Sequence, residues 1–276
     1  MKIFEVPTEV IKNRKLVSNL AKNDLKARFA GSNLGIVWAF VQPIITIIVY
    51  WFVFEKAIGA GSQITKGGLS VPYILWLSAG LIPWFYFSEA WMNGTNCLLE
   101  YNYLVKKVVF NISVLPVVKA VSSLFTHVVL VLFMILLYVL YGYYPDISVI
   151  QVIYYSFCAF ALALSLSYFT SAVTVFFRDM QQIINVFMQM LIWGTPIMWN
   201  IDYMEQLGKV SPALSMILKL NPMYYIVLGY RRTLIYHEPF WNEPALTIYF
   251  WCVTIVLFLI GTTVFRKLRP HFADIL

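Results

Sequence analysis

Six stretches of this sequence contain no Asp, Glu, Lys or Arg, and each is long enough to cross a lipid bilayer. They are residues 29–54, 67–88, 120–145, 147–177, 180–201 and 244–265. A membrane-crossing helix needs about 20 predominantly apolar residues, and 61% of the chain is hydrophobic. The 20 basic and 13 acidic side chains all lie outside these windows. The sequence therefore predicts an all-α polytopic membrane protein with six transmembrane helices.

The distribution of Lys and Arg predicts the orientation of the chain. With six spans both termini lie on one side, and 14 of the 20 basic residues fall on that side. Because basic residues are enriched in cytoplasmic loops, both termini are predicted to be cytoplasmic. The net charge of +7 is then explained by topology and by attraction to anionic lipids, so nucleic acid binding is not needed to account for it.

Residues 1–28 are predicted to form an amphipathic helix at the cytoplasmic membrane surface, most clearly over 8–28. Basic side chains above an apolar underside suit that interface, although Asn13 and Asp24 interrupt the apolar face. The alternative is a solvated basic tail. The polar stripe of the helix, with helical 3-4-3-4 spacing, consists of Lys12, Lys15, Asn19, Lys22 and Lys26.

The rest of the chain, 29–276, is predicted to be a single six-span domain. A charged cytoplasmic segment at about 89–119 connects the second and third spans. A short helix around 95–107 would present charged and aromatic side chains to a soluble partner. The alternative is a plain connecting loop.

The external segment at about 202–243 contains an apolar run at 220–230 that is too short to cross the membrane. Pro196, Pro212 and Pro222 interrupt the region. Helix breaks at membrane depth occur only where protein or a water-filled cavity covers the freed backbone. Short re-entrant or interfacial outer helices are therefore predicted between spans five and six. They form either a pore mouth or gate, or an amphipathic hairpin on the outer leaflet.

The sequence motifs of several enzyme classes are absent. There is no G-x-x-x-x-G-K-[ST] phosphate loop, no H-E-x-x-H and no G-x-S-x-G, and the three cysteines match no metal spacing. Ion-coupled transporters place ionisable groups inside the membrane, whereas His127 is the one such candidate within the windows. We therefore expect no catalytic residue, no metal and no cofactor in this chain. Either a passive conduit or a permease driven by energy from elsewhere fits these absences.

The order of elements resembles the membrane subunits of type-2 ABC exporters that move lipid-linked polysaccharides. "SNLGIVWAFVQPIITIIVYWFVF" at 32–54 is similar to the family's first span, with its Leu-Gly-x-x-Trp and following proline. "FFRDMQQIINVFMQMLIWGTPIMW" at 176–199 is similar to its Arg-Asp junction and fifth span. "LNPMYYIVLGYRRTLIYHE" at 220–238 and "FADIL" at 272–276 most resemble the teichoic-acid translocation permeases.

The resemblance implies a bacterial cell-membrane homodimer that works with two copies of a separate ABC ATPase chain, which would hold ATP and Mg. The helix around 95–107 would be the coupling helix that docks on the ATPase. The candidates for that contact are Glu100, Tyr103, Lys106 and Lys107. Charge-assisted hydrogen bonds to phosphate are strong, and the candidates for attracting the lipid pyrophosphate head group are Lys22, Lys26 and Arg28.

The implied substrate is a teichoic acid on an undecaprenyl-pyrophosphate carrier, moved through a conduit at the dimer interface between the first and fifth spans. Aromatic faces suit a sliding polymer because they pack against C–H groups without a fixed hydrogen-bond register. The candidates for lining this pathway are Trp38, Phe40, Tyr50, Phe187, Trp193 and Trp199. The candidates for an outer gate are Tyr224, Tyr225 and Tyr230.

Three other functions fit the sequence. Within the exporter family, the alternative substrate is an O-antigen or capsular polysaccharide. A channel or secondary carrier would need no ATPase. A membrane-embedded transferase would need acidic or His groups at the interface, for which Glu89 and Asp202 are the acids next to the windows.

Overall fold

The computed structural model describes residues 12–59, 63–64, 70–106 and 111–276. The first helix, α1 (Arg14–Arg28), is amphipathic, and the five polar side chains of the predicted stripe are all exposed. On its opposite face Val17 and Ala21 are buried in a cluster with residues of the helical bundle. Protein therefore covers the apolar underside of α1, and its position on a membrane surface stays a prediction.

Helix α2 (Trp38–Trp51) lies at the periphery of the bundle. A 3₁₀ turn, Gly35–Val37, precedes it, and a π-helical turn, Phe52–Ala57, continues it. Only 6% of the residues in the most apolar stretch of this segment are buried inside the protein. Two short strands, β1 (Gln63–Ile64) and β2 (Ser70–Val71), follow and pair in antiparallel register.

The centre of the bundle is formed by α3 (Tyr73–Glu100), α5 (Leu115–Leu140), α6 (Gln151–Phe176) and α11 (Pro244–Leu268). Between α3 and α5 lies the short helix α4 (Asn102–Val105). Glycines allow close helix approach, as is common in membrane bundles. A Cβ at Gly94 of α3 would lie 2.2 Å from the Ser167 hydroxyl of α6, and one at Gly261 of α11 would lie 2.7 Å from the Ser165 carbonyl oxygen.

The chain breaks its helical path after α7 (Met180–Gly194), which follows α6 after the three non-helical residues 177–179. Residues 195–200 are not helical. Three short helices then follow: α8 (Ile201–Gln206), α9 (Pro212–Lys219) and α10 (Pro222–Arg231), the last extended by a π-helical turn, Arg232–Tyr236. Side chains of Asn200, Ser211 and Asn221 accept from backbone N–H groups at the three N-termini, as helix caps do.

The predicted apolar run at 220–230 forms α10, which packs against α3 and α6 inside the protein. Met223, Ile226, Val227 and Tyr230 are all buried there. This run is therefore covered by protein, and its position relative to the membrane stays a prediction. The last helix is the short α12 (Phe272–Ile275).

Four helical segments in the described part of the chain are long and apolar enough to cross a membrane: Gly35–Ala57, Ile112–Leu140, Ile147–Phe176 and Pro244–Ile275. The second predicted span lies in α3, whose 28 residues extend about 40 Å but include polar and aromatic side chains. The fifth coincides with α7, whose 15 residues extend only about 22 Å because the helix breaks after Gly194. The all-α polytopic architecture is confirmed, and six spans stay a prediction.

Candidate functional site

A cluster of charged side chains joins α1, α3 and α5 at one end of the bundle, which we call the α1 end. We call this cluster the charged junction. Its members come from positions far apart in the sequence and are Asp24, Arg28, Glu89, Glu100, Tyr101, Lys119, Ser122 and Ser123.

Asp24 is the centre of the charged junction and is only 4% exposed. Its carboxylate accepts hydrogen bonds from Arg28 Nη2 at 2.9 Å, from the Tyr101 hydroxyl at 2.9 Å and from Lys119 Nζ. Burial by itself raises the pKa of Asp24, but the hydrogen bond from Lys119 and the charges of Lys119 and Arg28 outweigh it, so the pKa is lowered. Asp24 is therefore held as a carboxylate.

Lys119 is 2% exposed and lies in the first turns of α5. Its ammonium group donates to both Asp24 and Glu100, and it lies 5.1 Å from the centre of the Tyr101 ring. Removing one partner of a buried ion pair costs about 3–5 kcal/mol, because the other charge stays buried without compensation. The charged junction therefore fixes α1 to α3 and α5.

Arg28 forms the second connection of α1 to the bundle. Its guanidinium contacts Glu89 of α3 and donates to the Ser122 hydroxyl of α5 at 3.0 Å, in addition to its contact with Asp24. The Ser123 hydroxyl donates to Glu89 at 3.1 Å. Glu89, considered above as a transferase group, is thus occupied by structural partners.

The predicted coupling residues lie next to the charged junction. α3 continues to Glu100, so the predicted helix around 95–107 is the end of α3 followed by α4. Glu100 is half exposed and pairs with Lys119, whereas Tyr103 is 55% exposed and Lys106 is also exposed. Lys107 lies outside the described residues. Contact of these side chains with an ATPase stays a prediction.

The predicted lipid head-group residues are in two different situations. Lys22 and Lys26 are exposed on the polar stripe of α1. Arg28 instead points into the charged junction, where Asp24 and Glu89 already neutralise its charge. A phosphate would have to compete with these carboxylates for Arg28, which sequence spacing alone did not reveal.

The predicted pathway residues lie mainly on α2 and α7, in which only Ile47, Ile184 and Met188 are buried. Trp38 is 47% exposed and Trp193 is 55% exposed. Phe187 is also exposed, while the half-buried members are Phe40, Tyr50 and Trp199. Large exposed aromatic side chains suit either a conduit or an interface with another protein, so their role as pathway lining stays a prediction.

A groove of about 280 Å³ runs between α2 and α3 close to the charged junction. Trp38 forms part of its wall, and its polar side chains can donate or accept hydrogen bonds. These polar side chains are Gln42, Thr46, Ser88 and Glu89. An aromatic face beside hydrogen-bonding groups is chemically suited to a hydroxyl-rich ligand.

The three tyrosines predicted as an outer gate are buried in α10. The Tyr225 hydroxyl lies 3.0 Å from Thr247 Oγ1, and the Tyr230 hydroxyl lies 3.0 Å from His127 Nε2. Tyr224 is 5% exposed. None of the three projects from the surface of the described chain, so a gating role would require α10 to move and stays a prediction.

The remaining candidate chemical groups have structural roles. His127 Nε2 is also within 3.1 Å of the Ser156 hydroxyl, which agrees with a hydrogen bond between helices rather than a proton relay. Asp202 accepts from Lys219 at 3.2 Å. Among the described residues no group of three or more His, Cys, Asp or Glu side chains is placed to hold a metal ion.

The roles of Asp24 and Lys119 in the charged junction were not predicted from the sequence, nor was the burial of Arg231. Two signals were present: Asp24 interrupts the apolar face of a helix, and Lys119 directly precedes a charge-free window. A charge at the edge of an apolar surface needs a partner, but the sequence does not say which one.

Comparison with known proteins gives a consistent result. A family model described as ABC-2 type transporter matches residues 15–235. The chain is 27% identical over 266 residues to the O-antigen export system permease protein RfbA of Myxococcus xanthus, covering 96% of this chain and 97% of that protein. Two proteins of the same name from Klebsiella pneumoniae are 26% and 25% identical over 264 residues, covering 93% of both chains in each case.

These matches and the apolar helices describe a multi-pass protein of the bacterial membrane. Because the family match covers most of its length, this chain belongs to the ABC-2 type transporter family, as a membrane permease without an ATPase site of its own.

Proposed function

We propose that this protein is the permease subunit of an ATP-driven exporter that moves a lipid-linked polysaccharide of the O-antigen type across the cytoplasmic membrane. The observation that carries the proposal is the match, over at least 93% of both lengths, to three permeases named for O-antigen export. These relatives favour O-antigen over teichoic acid. The strings at 220–238 and 272–276 make teichoic acid the second candidate.

The α1 end of the bundle is the cytoplasmic face in this proposal. Exposed Tyr103 and Lys106 lie directly after α3, and Glu100 at the end of α3 is bound to Lys119. A separate ATPase chain, which binds ATP and Mg, docks on this surface. Its motion passes to α3, and through the charged junction to α1 and α5, because these helices are held together by buried ion pairs.

A second copy of the permease completes the pathway. The exposed aromatic residues of α2 and α7, such as Trp38 and Trp193, then face the partner copy across the conduit. The polymer slides over these rings while its lipid carrier stays in the bilayer. Lys22 and Lys26 on the exposed face of α1 attract the pyrophosphate as the carrier approaches.

Reconstituted vesicles test this function. The permease is reconstituted with and without its ATPase partner chain, and protection of a lipid-linked polymer from an external enzyme is measured after ATP addition. We expect ATP-dependent movement of an O-antigen-type polymer that is lost without the ATPase chain. Equal movement in both preparations would refute an ATP-driven exporter, and preference for a polyol-phosphate polymer would assign the teichoic-acid substrate instead.

The coupling surface has a separate test. Tyr103→Ala combined with Lys106→Ala should lower co-purification of the ATPase chain by about tenfold, since interface anchors of this kind contribute more than 1 kcal/mol each. Tyr141→Ala is the matched control, because Tyr141 is similarly exposed but lies at the far end of α5. Equal loss for both variants would place the ATPase elsewhere.

A further inference from the structure

Arg231 of α10 is buried to 3% exposure and binds the broken end of α7. Its Nη1 donates to the carbonyl of Pro196 at 2.8 Å, and its Nη2 donates to the carbonyl of Ile197 at 2.5 Å. Both carbonyls lie in the non-helical segment that follows Gly194. One side chain therefore satisfies two backbone carbonyls of a non-helical segment, in which no helical hydrogen bonds are available.

The chemistry of arginine fits this role. Buried non-helical backbone has carbonyl groups that must find hydrogen-bond partners, and the planar guanidinium offers several donors in a fixed fork. Lysine presents a single point of charge on a flexible stem and does not reproduce that geometry. The neighbouring Arg232 pairs with Glu238 and Glu243, so the two adjacent arginines have different functions.

Helix α3 is the third element at this position. The guanidinium carbon of Arg231 lies 3.8 Å from the centre of the Trp76 ring. A Cβ at Gly80 would lie 3.1 Å from Arg231 Nη2 and 3.0 Å from Ile197 Cγ2, so α3 approaches the segment closely. The Tyr73 hydroxyl donates to the carbonyl of Met198 at 2.7 Å, which adds a further bond from α3.

We propose that Arg231 is a positioning residue that holds the broken end of α7, α10 and α3 together as one body during transport. A single continuous helix, α3, carries this contact at one end and Glu100 of the charged junction at the other. Motion imposed at the α1 end therefore reaches the far end of α7 and α10 together. The proposal rests on the proposed function, because it assigns the outer end of the pathway to these elements.

A covalent tether provides the test. Cysteines at Gly80 and Ile197 would come within reach of a disulfide, given the 3.0 Å separation of a Cβ at position 80 from Ile197 Cγ2. Export of lipid-linked polymer and ATP hydrolysis are both measured in vesicles that contain the permease and its ATPase chain. Four forms are compared: unchanged, Arg231→Lys, Arg232→Ala, and Arg231→Lys with the tether.

We expect Arg231→Lys to lower polymer exported per ATP by about tenfold, since loss of one charge-assisted hydrogen bond shifts an equilibrium by that order. Arg232→Ala should stay within about twofold, because it leaves both carbonyl contacts of Arg231 in place. Oxidation of the tether should restore export in the Arg231→Lys form, and reduction of the disulfide should abolish that rescue. The ratio of export to ATP hydrolysis separates the proposed role from a loss of folding, because a loss of folding lowers both activities.

Several outcomes would overturn the proposal. The proposal is refuted if Arg231→Lys exports as much polymer per ATP as the unchanged protein, or if Arg232→Ala loses as much export as Arg231→Lys. It is also refuted if oxidation of the tether restores no export. If Arg231→Lys does not fold, export is measured with the tether in the otherwise unchanged protein. Retained export supports the proposal that these elements move as a single body, and blocked export refutes it. Absence of ATP-dependent export in the unchanged complex would refute the proposed function instead, so the two failures are distinguishable.

Discussion

Removing either partner of the Asp24–Lys119 ion pair should destabilise the protein, and removing both should cost less than the sum of the two losses. In Asp24→Leu the ammonium of Lys119 stays buried with Glu100 as its remaining acidic partner. In Lys119→Met the carboxylate of Asp24 stays buried but keeps its bonds from Arg28 and Tyr101. Each single change is therefore expected near the lower end of the range for a broken buried pair, at about 3 kcal/mol.

The double variant tests whether the charges of Asp24 and Lys119 stabilise each other or act independently. Leu and Met together remove both charges, so the unfolding free energy should fall by about 3 kcal/mol rather than by about 6 kcal/mol, a coupling within the range for contacting residues. Denaturant unfolding in detergent micelles measures the free energy of unfolding of the unchanged permease, of the two single variants and of the double variant. Hydrogen exchange of the amides in α1 shows whether Arg14–Arg28 detaches first.

A matched control lies on the same helix. Lys26→Met removes a charge from the exposed stripe of α1 and should change the unfolding free energy by less than about 0.5 kcal/mol. Additive losses in the Asp24 and Lys119 variants would refute the reasoning, because they would mean that the two groups do not stabilise each other. A loss in Lys26→Met of the same size would show that the effect belongs to α1 as a whole.

Three further predictions address stability. Gly229→Ala should lower the free energy of unfolding by about 1–3 kcal/mol through overpacking, because the new Cβ would lie 2.0 Å from the Tyr155 ring. Gly194→Ala should be nearly neutral, because no atom lies within 4 Å of its Cβ position. The denaturant midpoints of the two variants test this. Because the pKa of Asp24 is lowered in the folded protein, its contribution is complete above the unfolded pKa of about 4 and is lost as the pH falls through the lower folded value. The protection factors of the α1 amides, which are corrected for the intrinsic pH dependence of exchange, should therefore be unchanged between pH 8 and pH 5 and fall only below about pH 4. Loss of protection already at pH 6 would contradict this assignment. Tyr168→Phe removes a buried hydroxyl that donates at 2.8 Å to a carbonyl just before α5 and should cost about 1 kcal/mol, measured by the same unfolding titration.

Much of the element order was predictable because it depends on neighbouring residues. Charge-free runs of the required length predicted the four helical segments that are long and apolar enough to cross a membrane, and the 3-4-3-4 stripe predicted the exposed face of α1. The short helices within about 202–243 were also predicted from local signals. In each case the relevant residues lie within one or two helical turns, so the sequence contains the whole pattern.

The contacts of the candidate site were not predictable in the same way. Arg28 looked like a free cation for phosphate, yet it contacts Glu89, which lies 61 positions away. The predicted gate tyrosines looked suited to a surface but are buried, because α10 enters the bundle between α3 and α6. Residue type gives the capacity to bind, and only the packing of helices decides which partner is within reach.

The sequence by itself determined that this chain forms apolar helices that cross a membrane, since length and hydrophobicity are sufficient for that conclusion. It also determined that no phosphate loop is present to hold ATP. Only the tertiary structure decided where the charges are neutralised. Asp24 meets Lys119 across 95 positions, and Arg231 satisfies carbonyls 34 and 35 positions earlier. The physical reason is that a buried charge is stable only beside its partner, and the folded packing of the helices is what brings distant partners together.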